Sequence, residues 1–146
     1  MNKIKEVESL KAYIGLKRTT NRIEADTRKL IAKYKLNMNE FAILEFLLHK
    51  GPATMQVLKE GILAANTSIT YIVDKLCEKN YIVREFDSKD RRIINVSLTE
   101  QGRELISELF PIHAEQLTEA FEHISLEEIG QLRHLLKKIN GISSNF

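Results

Sequence analysis

The chain holds one cysteine, Cys77, no tryptophan and only two prolines among its 146 residues. A single thiol cannot close an internal disulfide, so stability must come from burial, and a reducing cytoplasm is the expected compartment. No stretch reaches the roughly 18 consecutive apolar residues of a membrane helix, and the opening MNKIKEVESL lacks the apolar centre of a secretory leader. No membrane partner is expected. Motifs of chemistry are missing as well: there is no glycine-rich phosphate loop, no nucleophile elbow and no paired-histidine metal motif. An enzyme, a cofactor and a bound metal are therefore not expected. His49, His113, His123 and His134 do not recur with a second ligand at metal spacing, and the one suggestive pair, Glu119 and His123, reads as a surface interaction.

What remains has the composition of a globular, mostly helical protein, 43% hydrophobic and 29% charged. At this length one compact unit spanning residues 1–146 is expected, with its own core. Net charge is only +2, but it is unevenly placed. Residues 1–35 carry ten Lys and Arg against four Asp and Glu, whereas residues 104–146 carry three against seven. The particle is polarised, although a charge run alone names no partner.

Apolar residues at Val7, Leu10, Ile14, Leu16, Ile23 and Leu30 recur at helical intervals and predict a long amphipathic helix from about 6 to 34. So small a domain cannot cover the whole of that stripe, so a second subunit is the natural cover. Asn37 with Glu40 forms a capping box opening a helix over about 38–49, which Gly51-Pro52 stops. Thr54 can cap a short helix over Met55 to Glu60. A fourth helix then begins with Asn66 or Thr67 as cap and keeps Ile69, Ile72 or Val73, and Leu76 on one side. YIVREF, the polar run DSKDRR and IINVSL predict a β-hairpin with a charged tip. Thr99 and Glu100 start another helix carrying Leu105, Leu109, Ile112, Leu117 and Phe121, with a kink or break expected at Pro111. Ser125 and Glu128 cap the last helix, striped by Ile129, Leu132, Leu136 and Ile139. The predicted order is α-α-α-α-β-β-α-α, mostly helical with a small hairpin.

Two short helices joined by a tight turn and followed by a basic hairpin make a winged helix-turn-helix over residues 37–98, with a recognition helix inside Asn66 to Lys79. Such a helix fits the major groove, where each base pair shows its own donor and acceptor pattern, while the hairpin tip reaches the minor groove. Thr67, Ser68, Thr70, Tyr71 and Lys75 are predicted to face outward toward DNA. Thr67 and Ser68 equally suit plain helix capping. At the tip, Lys89, Arg91 and Arg92 crowd around Asp90, whose expected work is to orient Arg92 by a charge-assisted bond. Taken alone, the tip also fits an exposed polar loop of no function.

The segment LAANTSITYIVDKLCEKNYIVREFDSKDRRIINVSLTEQG resembles the recognition helix and wing of the MarR family, the multiple antibiotic resistance regulators, with VDKL, DSKDRR and LTEQG in order and at the family's spacing. The resemblance covers essentially the whole chain. It implies a homodimeric transcriptional regulator whose helices over 1–35 and 104–146 interleave with a partner's, reading an inverted-repeat operator on double-stranded DNA. It also implies release by a small molecule bound between the dimer helices and the DNA-reading part. By the same resemblance Thr67, Ser68, Thr70 and Tyr71 fall at major-groove positions, Arg92 at the wing tip and Asp90 at its supporting carboxylate. ITYIVDKL together with FPIH looks most like relatives that govern detoxification of quinones and other aromatic compounds. Asn80 departs from the family, which usually has glycine there, so Asn must adopt the left-handed conformation.

Two other readings stand beside this one. A thiol-based redox regulator would use Cys77, although that residue sits toward the core side of its helix and the peroxide-sensing members carry a cysteine in the first helix, where this chain has none. A winged-helix module for protein interaction would keep the fold without reading DNA.

Overall fold

The computed structural model describes residues 2–62 and 68–141. The elements are α1 (Lys3–Ala32), α2 (Met38–Lys50), β1 (Ala53–Thr54), α3 (Met55–Gly61), α4 (Ile69–Glu78), β2 (Ile82–Phe86), β3 (Ile94–Leu98), α5 (Glu100–Ala120) and α6 (Leu126–Asn140). The fold is thus mostly helical with a small antiparallel sheet. It differs from the expected order by the two-residue strand β1, which makes the hairpin three-stranded in the order β1-β3-β2. Ala53 pairs with Val96 and Thr54 with Asn95. A strand so short carries no period-2 pattern, and only its pairing with β3 defines it.

Local chemistry sets the helix starts. Asn2 caps α1 by accepting from Ile4 and Lys5, so that helix begins earlier than its apolar stripe. Asn37 and Glu40 exchange the two bonds of a capping box at α2, as Ser125 and Glu128 do at α6. Thr54 caps α3 through Val57 and Thr99 caps α5 through Gly102. Of the kink or break expected at Pro111, the break does not occur: α5 continues through it. The carbonyl deprived of its partner belongs to Ser107, and both residues lie on the exposed side of the helix. Phe121 follows the last turn of α5 as its cap instead of continuing the stripe.

The core gathers Leu30 and Ile31 of α1, Ile43, Leu44 and Leu47 of α2, Leu58 of α3, Val96 of β3, and Ile106 and Leu109 of α5. Four consecutive inward positions of α4, Ile69, Ile72, Val73 and Leu76, close it from the DNA-reading side. Burial of each contributes about 1.5–3 kcal/mol, so α4 is held firmly by its inner face while its outer face is left to function. The two flanking helices behave differently. α1 buries only Thr27, Leu30 and Ile31, and α6 buries nothing. Ile4, Val7, Leu10 and Ile14 stay 46–76% exposed along α1, and Leu135 and Ile139 along α6.

Candidate nucleic-acid interface

α4 presents Ser68, Thr70 and Tyr71 to solvent, with Tyr71 57% exposed. Thr67 and Asn66, expected at the start of this helix, lie outside the described residues. Ser68 is the N-cap position, yet its side chain makes no capping bond, so its hydroxyl is not committed to the helix. Lys75 lies one turn past Tyr71, with Nζ 5.4 Å from the ring centroid and 3.5 Å from Glu78 Oε2. That pair is half exposed and weak, leaving the ammonium available to a phosphate.

The tip of the β2–β3 hairpin is organised by two carboxylates. Asp90 accepts from the Arg92 backbone N–H and from Arg92 Nε, both at 3.0 Å on Oδ1, and from Nη2 at 2.9 Å on Oδ2. The Arg92 hydrogen bonds hold the Asp90 carboxyl below its ordinary range and raise the guanidinium in turn. The Arg92 guanidinium is therefore held along its Nε–Nη2 edge while the side chain remains 90% exposed. Asp87, which sequence reasoning did not single out, accepts from Asn95 Nδ2 at 3.1 Å and from the backbone of Lys89 and Asp90. The Asn95 bond leads in holding its carboxyl down. Lys89 and Arg91 are exposed beside them.

Between α3, α4 and the wing lies a concavity of about 480 Å³ lined by Thr54, Gln56, Lys59, Thr70, Arg84 and Arg92, among others. It joins the recognition helix and the wing tip in one surface with three cations on its rim. Lys59 and Arg84 were missed by the sequence reading. The available signal was the strand period, which puts Arg84 on the same side as Ile82, facing α4. Arg84 pairs there with Asp74 of α4, tying the wing to the middle of the recognition helix.

Cys77 is half-buried beside this pair. Burial pushes its thiol up, although Arg84 pulls the other way. Among the described residues no three His, Cys, Asp or Glu side chains are placed to hold a metal ion. The Glu119–His123 pairing expected from spacing is replaced by His123 with its neighbour Glu122, at 3.4 Å.

A family model described as transcriptional regulator SarA/Rot matches residues 26–109. The HTH-type transcriptional regulator MhqR of Bacillus subtilis is 39% identical over 132 residues, covering 90% of this chain and 91% of that protein. Among solved structures, AbsC, a MarR family transcriptional regulator from Streptomyces coelicolor, superposes with a TM-score of 0.82 at 20% identity, over 96% of this chain and 94% of that one. A mutant MarR of E. coli complexed with operator DNA gives 0.75, also at 20% identity, over 95% and 99%. These relatives are regulators and not enzymes. Joined to an exposed recognition helix and an arginine-tipped wing, the matches establish that the chain belongs to the MarR family of winged helix-turn-helix, DNA-binding transcriptional regulators.

Proposed function

We propose that the chain is a cytoplasmic homodimeric repressor that holds an inverted-repeat operator and is released from it by a small aromatic or phenolic molecule. The observation that carries this reading is the concavity in which Thr70 of the recognition helix meets Lys59, Arg84 and the braced Arg92, with Ser68 and Tyr71 exposed on the same helix. Short hydroxyls and a phenol tolerate close approach to base edges, and exposed Lys and Arg side chains suit the phosphates. Thr67, Lys75, Lys89 and Arg91 complete the contact set, with Asp90 supporting the wing. Dimerisation is supported by the apolar stripe Ile4, Val7, Leu10 and Ile14, which stays exposed among the described residues. A two-fold axis through helices 1–35 and 104–146 would place the two recognition helices one duplex turn apart.

For the effector, an open groove of about 720 Å³ runs between α1, α2 and the end of α3, with Arg28, Phe46 and His49 in its lining. An aromatic ligand seated there would press the dimer-forming helix against the reading part. A coupling of about 1–3 kcal/mol is enough to change operator affinity 5- to 150-fold. The raised thiol of Cys77 does not favour the redox alternative, since a sensor needs an exposed, acidified one.

The test combines sedimentation with gel-shift titration. The full chain should sediment as a dimer, and Leu10→Glu with Ile14→Glu should yield monomers. The dimer should bind duplexes selected from a random pool far more tightly than unselected DNA, and a panel of simple phenols and quinones should release it. A stable monomer indifferent to duplex DNA at low salt would refute the proposal.

A further inference from the structure

The recognition helix ends in a polar joint that the DNA-reading surface does not use. Lys79, the residue that terminates α4, donates from Nζ to Glu40 Oε2 at 2.7 Å and to the carbonyl oxygen of Lys35 at 2.7 Å. Glu40 is nearly inaccessible, its side chain only 5% exposed, and its other oxygen, Oε1, accepts the Asn37 N–H at 3.0 Å. Both oxygens of this buried carboxylate are thus committed, and its charge is met by Lys79. The chain on each side is equally constrained. Lys35, at the exit of α1, and Asn80, at the exit of α4, both sit in the left-handed region, with φ of 59° and 64°. The Asn80 carbonyl accepts from Thr99 Oγ1 at 2.6 Å, and that same hydroxyl oxygen accepts from Gly102 in the first turn of α5.

The exit of the recognition helix is therefore bonded on one side to the α1–α2 junction and on the other to the start of α5. The flanking helices α1 and α5 also pack on each other. The apolar packing of α4 sets its direction only within the scatter of helix packing, about 15–20°. An ammonium shared between a buried carboxylate and a carbonyl does fix it.

We propose that Lys79 is a positioning residue that sets the tilt of the recognition helix against α1 and α5, and thereby the spacing of the two reading heads on DNA. This rests on the homodimer reading above. The lever is long enough to matter: α4 has ten residues, or about 15 Å at 1.5 Å per residue. A tilt of ~10° about its C-terminal end moves the far end by roughly 2.6 Å, and in a dimer the two shifts together exceed the ~3.4 Å rise of one base pair. Because both donations of the ammonium go to protein, Lys79 is not assigned a phosphate.

The experiment uses the full chain and three kinds of duplex. One is enriched by the wild-type dimer from a randomised pool, the second is the same duplex with its half-sites moved one base pair closer or farther, and the third is random DNA. Wild type should prefer the parent spacing. Lys79→Met should lose about tenfold on the parent and much less on the respaced duplexes, while its salt dependence and its affinity for random DNA stay as in wild type. Lys79→Arg should recover the preference, and Glu40→Gln, which keeps an acceptor at Oε1, should lose it in part. Equal weakening on every duplex in both Lys79→Met and Glu40→Gln would reduce the joint to a stability element and overturn the proposal. So would a retained spacing preference with a salt slope lower by about one, the mark of a phosphate contact. If wild type enriches no duplex or proves monomeric, the failure lies instead with the homodimer reading.

Discussion

A β-carbon placed on Gly102 would overlap the carbonyl oxygen of Tyr81 and lie 3.0 Å from the Tyr81 Cα. The glycine is required by this close approach of α5 to the strand entry, since its own backbone is ordinary helix. Nothing nearby can yield cheaply, because the obstacle is main chain whose amide geometry is fixed by Thr99 N–H bonding to Tyr81 O at 3.1 Å. Gly102→Ala should therefore destabilise the chain by about 3 kcal/mol, at the upper end of overpacking costs. Urea unfolding followed by circular dichroism reads this directly. A loss under about 1 kcal/mol would mean that α5 slides freely past the strand.

Much of this architecture was legible because its determinants are local. The capping boxes Asn37–Glu40 and Ser125–Glu128 are three residues apart, the Asp90 grip on Arg92 spans two residues, and the left-handed Asn80 was expected from the glycine usual at that place in the family this chain resembles. What was not legible lies far apart in sequence. Lys79 meets the Lys35 carbonyl across 44 positions, and no periodicity announces that contact. Arg84 and Lys59 join the interface only because the wing folds toward α3 and α4. β1 has no pattern of its own, and the local rule for proline does not say whether a helix breaks or only bends, so the continuity of α5 through Pro111 was not legible.

The wing makes a prediction with opposite signs on two kinds of DNA. Arg92→Ala removes a charge-assisted bond worth about 1.5–3 kcal/mol, so operator affinity should fall by about tenfold or more with the dimer intact. Asp90→Asn removes the negative charge that anchors the guanidinium but also a charge that repels phosphate. It should weaken operator binding less than Arg92→Ala does and strengthen binding to random duplex. Fluorescence anisotropy on both duplexes checks the pair of effects. Unchanged operator affinity in Arg92→Ala would remove the wing from the mechanism.

On the recognition helix, base reading and phosphate contact are separable by salt. Lys75→Ala should lower the slope of log affinity against log salt by about 0.9, the release of roughly one counterion. Thr70→Val keeps the shape and discards the hydroxyl, so it should reduce discrimination among operator variants by about 1–3 kcal/mol per contacted base pair and leave the slope alone. Titrations at several salt concentrations distinguish the two. Equal losses on operator and random DNA for Thr70→Val would deny it a base.

His113 supplies a pH dependence of the fold itself. It is buried against Phe41, ring centroids 4.9 Å apart, and its Nδ1 has no hydrogen-bond partner among the described residues. Burial pushes it below the ordinary histidine range, and the negative charge of Glu45 on α2 only partly offsets this. The folded chain thus takes up the proton less readily than the unfolded chain, whose histidine titrates near 6.5. Above that pH both states are neutral at this position and stability is unaffected by it. As pH falls below it, the unfolded state is protonated first and stability is lost progressively until the folded chain is protonated too. The urea midpoint of the wild type should therefore drop between pH 7.5 and 5.5, and the drop should be smaller in His113→Leu, whatever that change does to the midpoint at pH 7.5. Parallel pH profiles for the two proteins would place the titrating group elsewhere.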